Sequence, residues 1–556
     1  MKDQSLKQII RYLFIVFFLT ACTSQNVITK PEIPNTPTVE TKISTPTPAP
    51  TETIAGPPEN SIWISPEIPQ TVSDVVLSGK QWIQQTNPED SACTLKMDSQ
   101  EQIGDWIYVL AGPFDTIQDQ VSFQDLKNKW FNHSAVFPVQ KIVLTQSDLT
   151  FLSSFLGEPD PDSVNVIDPS VIDETLWKDQ NTWALIPFES VNPKIKVIAI
   201  DQSNPIDRQF DPAKYPLTIP VSLSCGVNSK TVDLVKNKNI TNRDQQSLTY
   251  LTLTGVTAMV RGTAFAMEKK GIDYPVTDIK DILLDTDYLH ISNEIPYWPK
   301  CPPPFQNPGE EKLEFCSSPK YNQLLEDIGT KIVELSGDHF NDWGSTATIY
   351  TLDLYKSLGW MYYGGGYNRE DARKPVLIEH NGNKIALMGC NAKPLGYGTA
   401  SDTKPGAVHC NFSDMDTRIK QVIAQGYIPV ITFQHLEYYD YKINPALQTD
   451  FHTVVDSGAA IVSGSQAHQP HAFEFYKDSF LHYGLGNLFF DQYKEGIPTR
   501  KSFIDRYVFY KGKYINTQLY TIIFTDLAHT RAMTAEERSD LLSTVFKFSI
   551  WPFSTQ

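Results

Sequence analysis

Five short stretches collect polar side chains of the kinds that bind metal ions or move protons. They are Ser292-Asn293-Glu294, Gly337-Asp338-His339, Gln434-His435-Leu436-Glu437, Gly464-Ser465-Gln466-Ala467-His468 and Gly486-Asn487. Carboxylate, amide and imidazole groups suit a divalent ion such as manganese, iron or zinc, which activates water and holds a phosphoryl oxygen. No Cys-x-x-Cys pair, Cys/His zinc spacing or Walker A pattern occurs, so a structural zinc knuckle and a P-loop nucleotide site are excluded. Each residue also has a plainer reading. His339 and His468 fit histidines that hydrogen-bond loop backbone, and Asp338 fits the N-cap of a helix starting near Asn341. Gly486-Asn487 fits a turn, and Gly364-Gly365-Gly366 fits a strand–helix turn better than a phosphate cradle. His482 and Leu488-Phe489-Phe490 read as core, and Tyr438, Tyr439 and Tyr441 as a half-buried strand edge or the lining of a polymer groove.

These groups need rigid elements to hold them. Leu248–Val256, the run ending His290-Ile-Ser, Lys384–Met388, Ile428–Phe433, Ala459–Val462 and Phe480–Tyr483 are short apolar runs that predict buried strands. Asp278–Leu284, Tyr321–Leu335 and Thr346–Leu358 carry helical spacing, the last stopped by Gly359. The alternation predicts a layered α/β sandwich with polar loops at strand ends. Upstream, residues 61–245 also read as mixed α/β, with strands at Trp106–Leu110, Lys141–Leu144 and Val197–Ile200 and a helix over Phe123–Phe131. The polar stretch 233–247 marks a junction.

The five stretches, extended by Asp342-Trp343-Gly344 and Leu488-Phe489-Phe490-Asp491, occur in order over about 200 residues. Together they resemble the CapA family, linked to poly-γ-glutamate capsule production, and the matching region runs from roughly 248 to 495. The resemblance implies a C-terminal four-layer αββα metallophosphatase-like sandwich with a dinuclear metal site on its loops. Carried over by position, it implies Glu294, Asp338, His435 and His468 as metal ligands, with His339 and Arg261 stabilising developing negative charge. Asp338 stands where the family has Asn, and Ser292 where it has another Asn. Val256 replaces the first Asp ligand, Ser465 replaces a His, and Phe433 takes the place of a His for which His435 would substitute. Order over 61–245, through Gly112-Pro113-Phe114-Asp115-Thr116, Trp183–Phe188 and Tyr215-Pro216-Leu217, resembles part of a solute-binding-protein-like domain. The segment 501–556 is then an extension packed on the CapA-like domain, taken as 246–500.

The chain has 556 residues, with Lys+Arg 47 against Asp+Glu 64 and a net charge of −17, which disfavours nucleic acid as a partner. Lys2, Lys7 and Arg11 precede the apolar run Tyr12–Ala21, and Leu19-Thr20-Ala21-Cys22 is similar to a bacterial lipobox. Residues 1–22 are therefore expected to be a lipoprotein signal peptide with Cys22 as the lipidated residue on the extracytoplasmic face of a cell membrane. Residues 23–60 hold 8 Pro and 9 Thr and predict an extended tether. The six other cysteines, Cys93, Cys225, Cys301, Cys316, Cys390 and Cys410, allow 15 pairings or free thiols. Proximity favours Cys301–Cys316 and Cys390–Cys410, with Cys93–Cys225 closing the N-terminal domain. The functional expectation is a lipid-anchored protein that makes, exports or attaches an anionic extracellular polymer, working with its synthesis machinery. A catalytic, metal-dependent hydrolase-like reading and a non-catalytic polymer-binding or assembly reading both stay open.

Overall fold

Ten consecutive buried residues, Leu248–Thr257 (LTYLTLTGVT), form the strand around which the site-bearing domain is built. Leucine, tyrosine and threonine suit a strand covered on both faces. In the computed structural model, which describes residues 56–78, 81–226, 240–305, 313–396 and 398–553, this strand is flanked on both sides. Tyr288–Asn293 runs parallel to it, followed by Thr330–Glu334 and Met361–Tyr363, also parallel. On its other edge Lys501–Tyr510, Lys513–Phe524 and Thr530–Ala532 pair antiparallel in succession. Residues 501–532, expected as part of an extension, thus supply strands of the sheet itself. Their alternation of aromatic and β-branched residues along Lys501–Tyr510 and Lys513–Phe524 accounts for this.

A second sheet runs in the order Val376–His380, Asn383–Asn391, Ile428–Gln434, Ile461–Ser463, Ser479–His482, Phe473–Tyr476. Leu251, Leu253, Phe503 and Tyr507 of the first sheet share a core with Ile385, Leu387, Val430, Ile461 and Phe480 of the second, so the sheets pack face to face. Helices cover both outer faces. Met267, Leu324, Leu352 and Tyr355 pack on Ile291, Val333 and Ile504. Ile419, Val422, Phe451 and Val454 pack on Ala386, Ile431 and Val462. The domain is a four-layer αββα sandwich.

The helical spacing over Tyr321–Leu335 is resolved differently. A helix covers only Asn322–Asp327, Gly329 turns the chain at φ 78°, and Thr330–Glu334 becomes a strand. A left-handed glycine ends the helix, and the pairing with Tyr288–Asn293 outweighs helical periodicity. Asp338 caps no helix, since the next one spans Gly344–Ser357 with Trp343 at its N-cap. The proposed signal peptide, Cys22, the tether as far as residue 55, and residues 233–239 of the junction lie outside the described residues. Among the described residues no helix is long and apolar enough to cross a membrane.

The upstream part forms an 11-stranded mixed sheet centred on Gln102–Pro113. It shares a core with Leu248, Tyr250, Val508 and Tyr510, and its strand Thr218–Cys225 is joined to Cys93–Met97 by the Cys93–Cys225 disulfide. Disulfides also join Cys301–Cys316 and Cys390–Cys410. Phe114, just past the central strand, reaches into the αββα domain and packs at 5.2–6.4 Å against Phe473, Phe475, Phe480, Phe546 and Trp551. Phe114→Ala is expected to cost about 3–5 kcal/mol. Calorimetry should show the main unfolding transition shifted down, and an unshifted transition would show that the contact is incidental.

Candidate metal and acid–base centre

Five parallel strands of the two sheets end on one edge of the sandwich, each leaving a polar residue beyond its carboxyl end. Glu294 follows Tyr288–Asn293, Asp338 follows Thr330–Glu334, Lys393 follows Asn383–Asn391, Glu437 follows Ile428–Gln434 and His468 follows Ile461–Ser463. Close backbone approach brings the first two together. A β-carbon on Gly337 would lie 2.7 Å from the α-carbon of Glu294, so only glycine lets these loops meet. Gly486, at φ 86°, likewise turns in the left-handed region before Asn487.

Glu294, Asp338 and His339 offer ligand atoms within 4.8 Å of one another. Both Glu294 oxygens and Oδ1 of Asp338 are buried without a hydrogen-bond partner. Such orphaned carboxylate oxygens are what a cation would satisfy. His339 turns Nδ1 to Asp342 Oδ2 at 2.7 Å and faces Asp338 with Nε2. An imidazole fixed by a carboxylate on its far nitrogen is the usual arrangement of a metal-binding histidine. Three donors of this chemistry therefore fit one divalent ion.

His468 and Arg261 complete the wall. Arg261, Glu294, His339, Glu437 and His468 line one cavity of about 280 Å³. Asn487 gives both amide hydrogens to carbonyls, those of His468 and Thr499, so its Oδ1, 2.9 Å from His468 Nδ1, accepts a proton there. The basic nitrogen of His468 is consequently Nε2, which faces Glu437 at 3.8 Å. Arg261 adopts φ 42° at the start of its helix, binds Asp491 through Nε at 2.9 Å, and lies between the Phe315 and Phe490 rings.

His435 is not brought to this cluster. Its Nε2 faces Asp450 at 3.2 Å, on the outer helix Pro445–Asp456, while Glu437, two residues later, turns inward. The departures noted in the sequence also have a structural account. Val256 packs with Ile295, Phe315 and Phe490. Ser292 and Ser465 both donate to Glu334, a fully buried carboxylate that Ser336 also reaches. Hydroxyls thus fill the coordination of Glu334 from within the protein. Sequence reading overlooked Lys393, and Glu437 as a site group.

Electrostatics follow from burial. Desolvation, then the Asp338 charge, raises Glu294 from 4.5 to about 8. Burial also opposes ionisation of Asp338, but His339 and Lys393 outweigh it and hold this carboxyl below its ordinary value. For His339, burial is overcome by Asp342, Glu294 and Asp338, which raise it from 6.5 to about 9. Burial lowers His468, leaving it neutral near pH 7.

With this geometry in place the class is defined: an αββα two-sheet protein with a carboxylate–imidazole centre at its strand ends. Residues 250–492 match the family described as "Bacterial capsule synthesis protein PGA_cap". Through this domain the chain is similar to CapA proteins. It is 25% identical over 260 residues to the capsule biosynthesis protein CapA of Bacillus anthracis, covering 46% of this chain and 62% of that one. It is 23% identical over 229 residues to the PGA biosynthesis protein CapA of Bacillus subtilis (strain 168), covering 40% and 59%. The chain thus spans about three-fifths of the length of these curated relatives. Among solved structures it is similar to a 5'-nucleotidase precursor from Thermus thermophilus, at TM-score 0.30 and 12% identity over 53% of this chain and 58% of that one. It is also similar to an ABC-type phosphate transport receptor from Vibrio cholerae, at TM-score 0.26 and 12% identity over 31% and 90%.

Glu294 and His339 both bind more protons folded than unfolded, across pH 4.5 to 8 and 6.5 to 9 respectively. Metal-free stability therefore falls as pH rises through these windows. Calorimetry of the chelated full chain from pH 5 to 9 should show a declining melting temperature. Glu294→Gln should flatten the decline below pH 8, and an unchanged slope would refute the assignment.

Proposed function

We propose that this chain is anchored by lipid at Cys22 to the extracytoplasmic face of a cell membrane. There it acts in the synthesis, export or attachment of an extracellular polymer such as poly-γ-glutamate. Its αββα domain contributes metal-assisted hydrolysis or transfer at a phosphate or γ-glutamyl linkage. The observation that carries this reading is the orphaned Glu294 carboxylate facing Asp338 and His339. A divalent ion held by these three residues would supply Lewis-acid polarisation and a nucleophilic water at neutral pH. His468 contributes a basic Nε2 at the cavity wall, able to take a proton and return it to a leaving group. Arg261, held by its ion pair with Asp491, places guanidinium N–H donors at the wall where an anionic group enters. Phosphate esters and poly-γ-glutamate would be offered to the full chain with manganese. Turnover should be abolished by chelator, restored by manganese, and reduced about 100-fold or more by Glu294→Gln. Absence of turnover on every substrate, with manganese bound, would sink the catalytic reading.

A second reading is favoured by the replacement of expected ligands: Val256 is committed to apolar packing, and Ser292 and Ser465 to Glu334. In it the domain keeps its fold and binds or assembles polymer without turnover. Polymer binding that ignores chelator and survives Glu294→Gln would select it.

A further inference from the structure

Lys393 takes no part in the chemistry proposed above, yet its side chain is 7% exposed and stands against the candidate ligands. The strand Asn383–Asn391 carries it to the site edge, and Asn391 Oδ1 accepts from the Lys393 amide at 2.8 Å, bending the chain inward. Its Nζ donates to Asp338 Oδ2 at 2.7 Å and to Glu437 Oε1 at 2.8 Å. Glu437 Oε1 also faces His468 Nε2.

Asp338 is therefore divided. Its Oδ2 is taken by the Lys393 ammonium and also faces His339 Nε2 at 3.8 Å, while Oδ1 is buried without a hydrogen-bond partner. A surface ion pair would explain a lysine in solvent, but taking an ammonium out of water is opposed by several kcal/mol unless close charges compensate. Here the compensating charges belong to the candidate site itself.

Geometry decides what else fits. The Lys393 ammonium already neutralises part of the negative charge of this carboxylate cluster, and it occupies one oxygen each of Asp338 and Glu437. A second ion would have to approach Asp338 Oδ2 and Glu437 Oε1, both already in contact with a cation, and would meet its repulsion at close range.

We propose that Lys393 is the resident second cation of this centre, a positioning residue that limits it to one divalent ion and holds Asp338 and Glu437 in place across from it. This rests on the reading that Glu294, Asp338 and His339 bind a divalent ion.

The test is manganese stoichiometry on the full chain, stripped with chelator and reloaded. Bound metal would be counted by mass spectrometry and spin coupling read by electron paramagnetic resonance. The wild type should hold one equivalent with an uncoupled spectrum. Lys393→Ala and Lys393→Gln should rise from one to two equivalents, with an exchange-coupled pair, while Lys393→Arg should stay at one. Two equivalents in the wild type would overturn the proposal and leave the underlying reading intact. One equivalent in a folded neutral variant, checked by circular dichroism, would do the same. No bound manganese in the wild type would overturn the underlying reading and the proposal with it. Should both neutral variants fail to fold, the wild-type count decides alone, one equivalent supporting the proposal and two refuting it.

Discussion

A buried carboxylate that no donor satisfies is the constraint around which this domain edge is organised. Glu294 has both oxygens enclosed and unpartnered. Leaving such a group ionised without compensation is unfavourable by several kcal/mol, so the group must hold a proton or a cation. Neighbouring features line up with that demand. Gly337 admits the Asp338 loop at contact distance, Asp342 orients His339, and Asn487 fixes the proton of His468 on the nitrogen away from the cavity.

The same edge shows how such a site changes while the fold persists. Around Glu334, three hydroxyls take the places where charged or metal-binding partners would be needed, so this carboxylate is satisfied internally. Around Glu294 no hydroxyl stands in, and its neighbours are Asp338 and His339. Two acidic groups on adjacent parallel strands thus differ: one is closed into a network of hydroxyl donors, and the other has a second carboxyl group and an imidazole beside it. Since the strands themselves are fully buried on both faces, serine or glutamate can alternate at their ends with little effect on the sandwich.

Much of this was legible in the sequence. Buried strands such as Leu248–Thr257 and Ile428–Gln434 announce themselves as apolar runs, and Gly359 marks the end of the helix before it. Glu294, Asp338, His339, His468 and Arg261 were recognisable from short motifs, and the structure lines one cavity with four of them and sets Asp338 beside Glu294 and His339. What escaped was non-local. Tyr321–Leu335 keeps helical spacing, yet Thr330–Glu334 has a strand partner more than thirty residues away. His435 sits two residues from a site position, but an aspartate on a distant helix captures it. Lys393 gave no signal, because a lysine after a strand is ordinarily solvent-exposed and nothing local says that two carboxylates from other loops await it.

The Cys390–Cys410 disulfide bears on all this in another way. It closes the loop that carries Lys393, beginning three residues before it. Closing a loop of this length removes conformational freedom that the open chain would have to lose on folding, an effect of about 3 kcal/mol. The cross-link therefore works as a chemical interlock. In an oxidising compartment the unfolded chain already carries this cross-link, so bringing Lys393 to its carboxylates costs less entropy than it would in a reduced chain. The stability of that placement thus depends on where the protein matures.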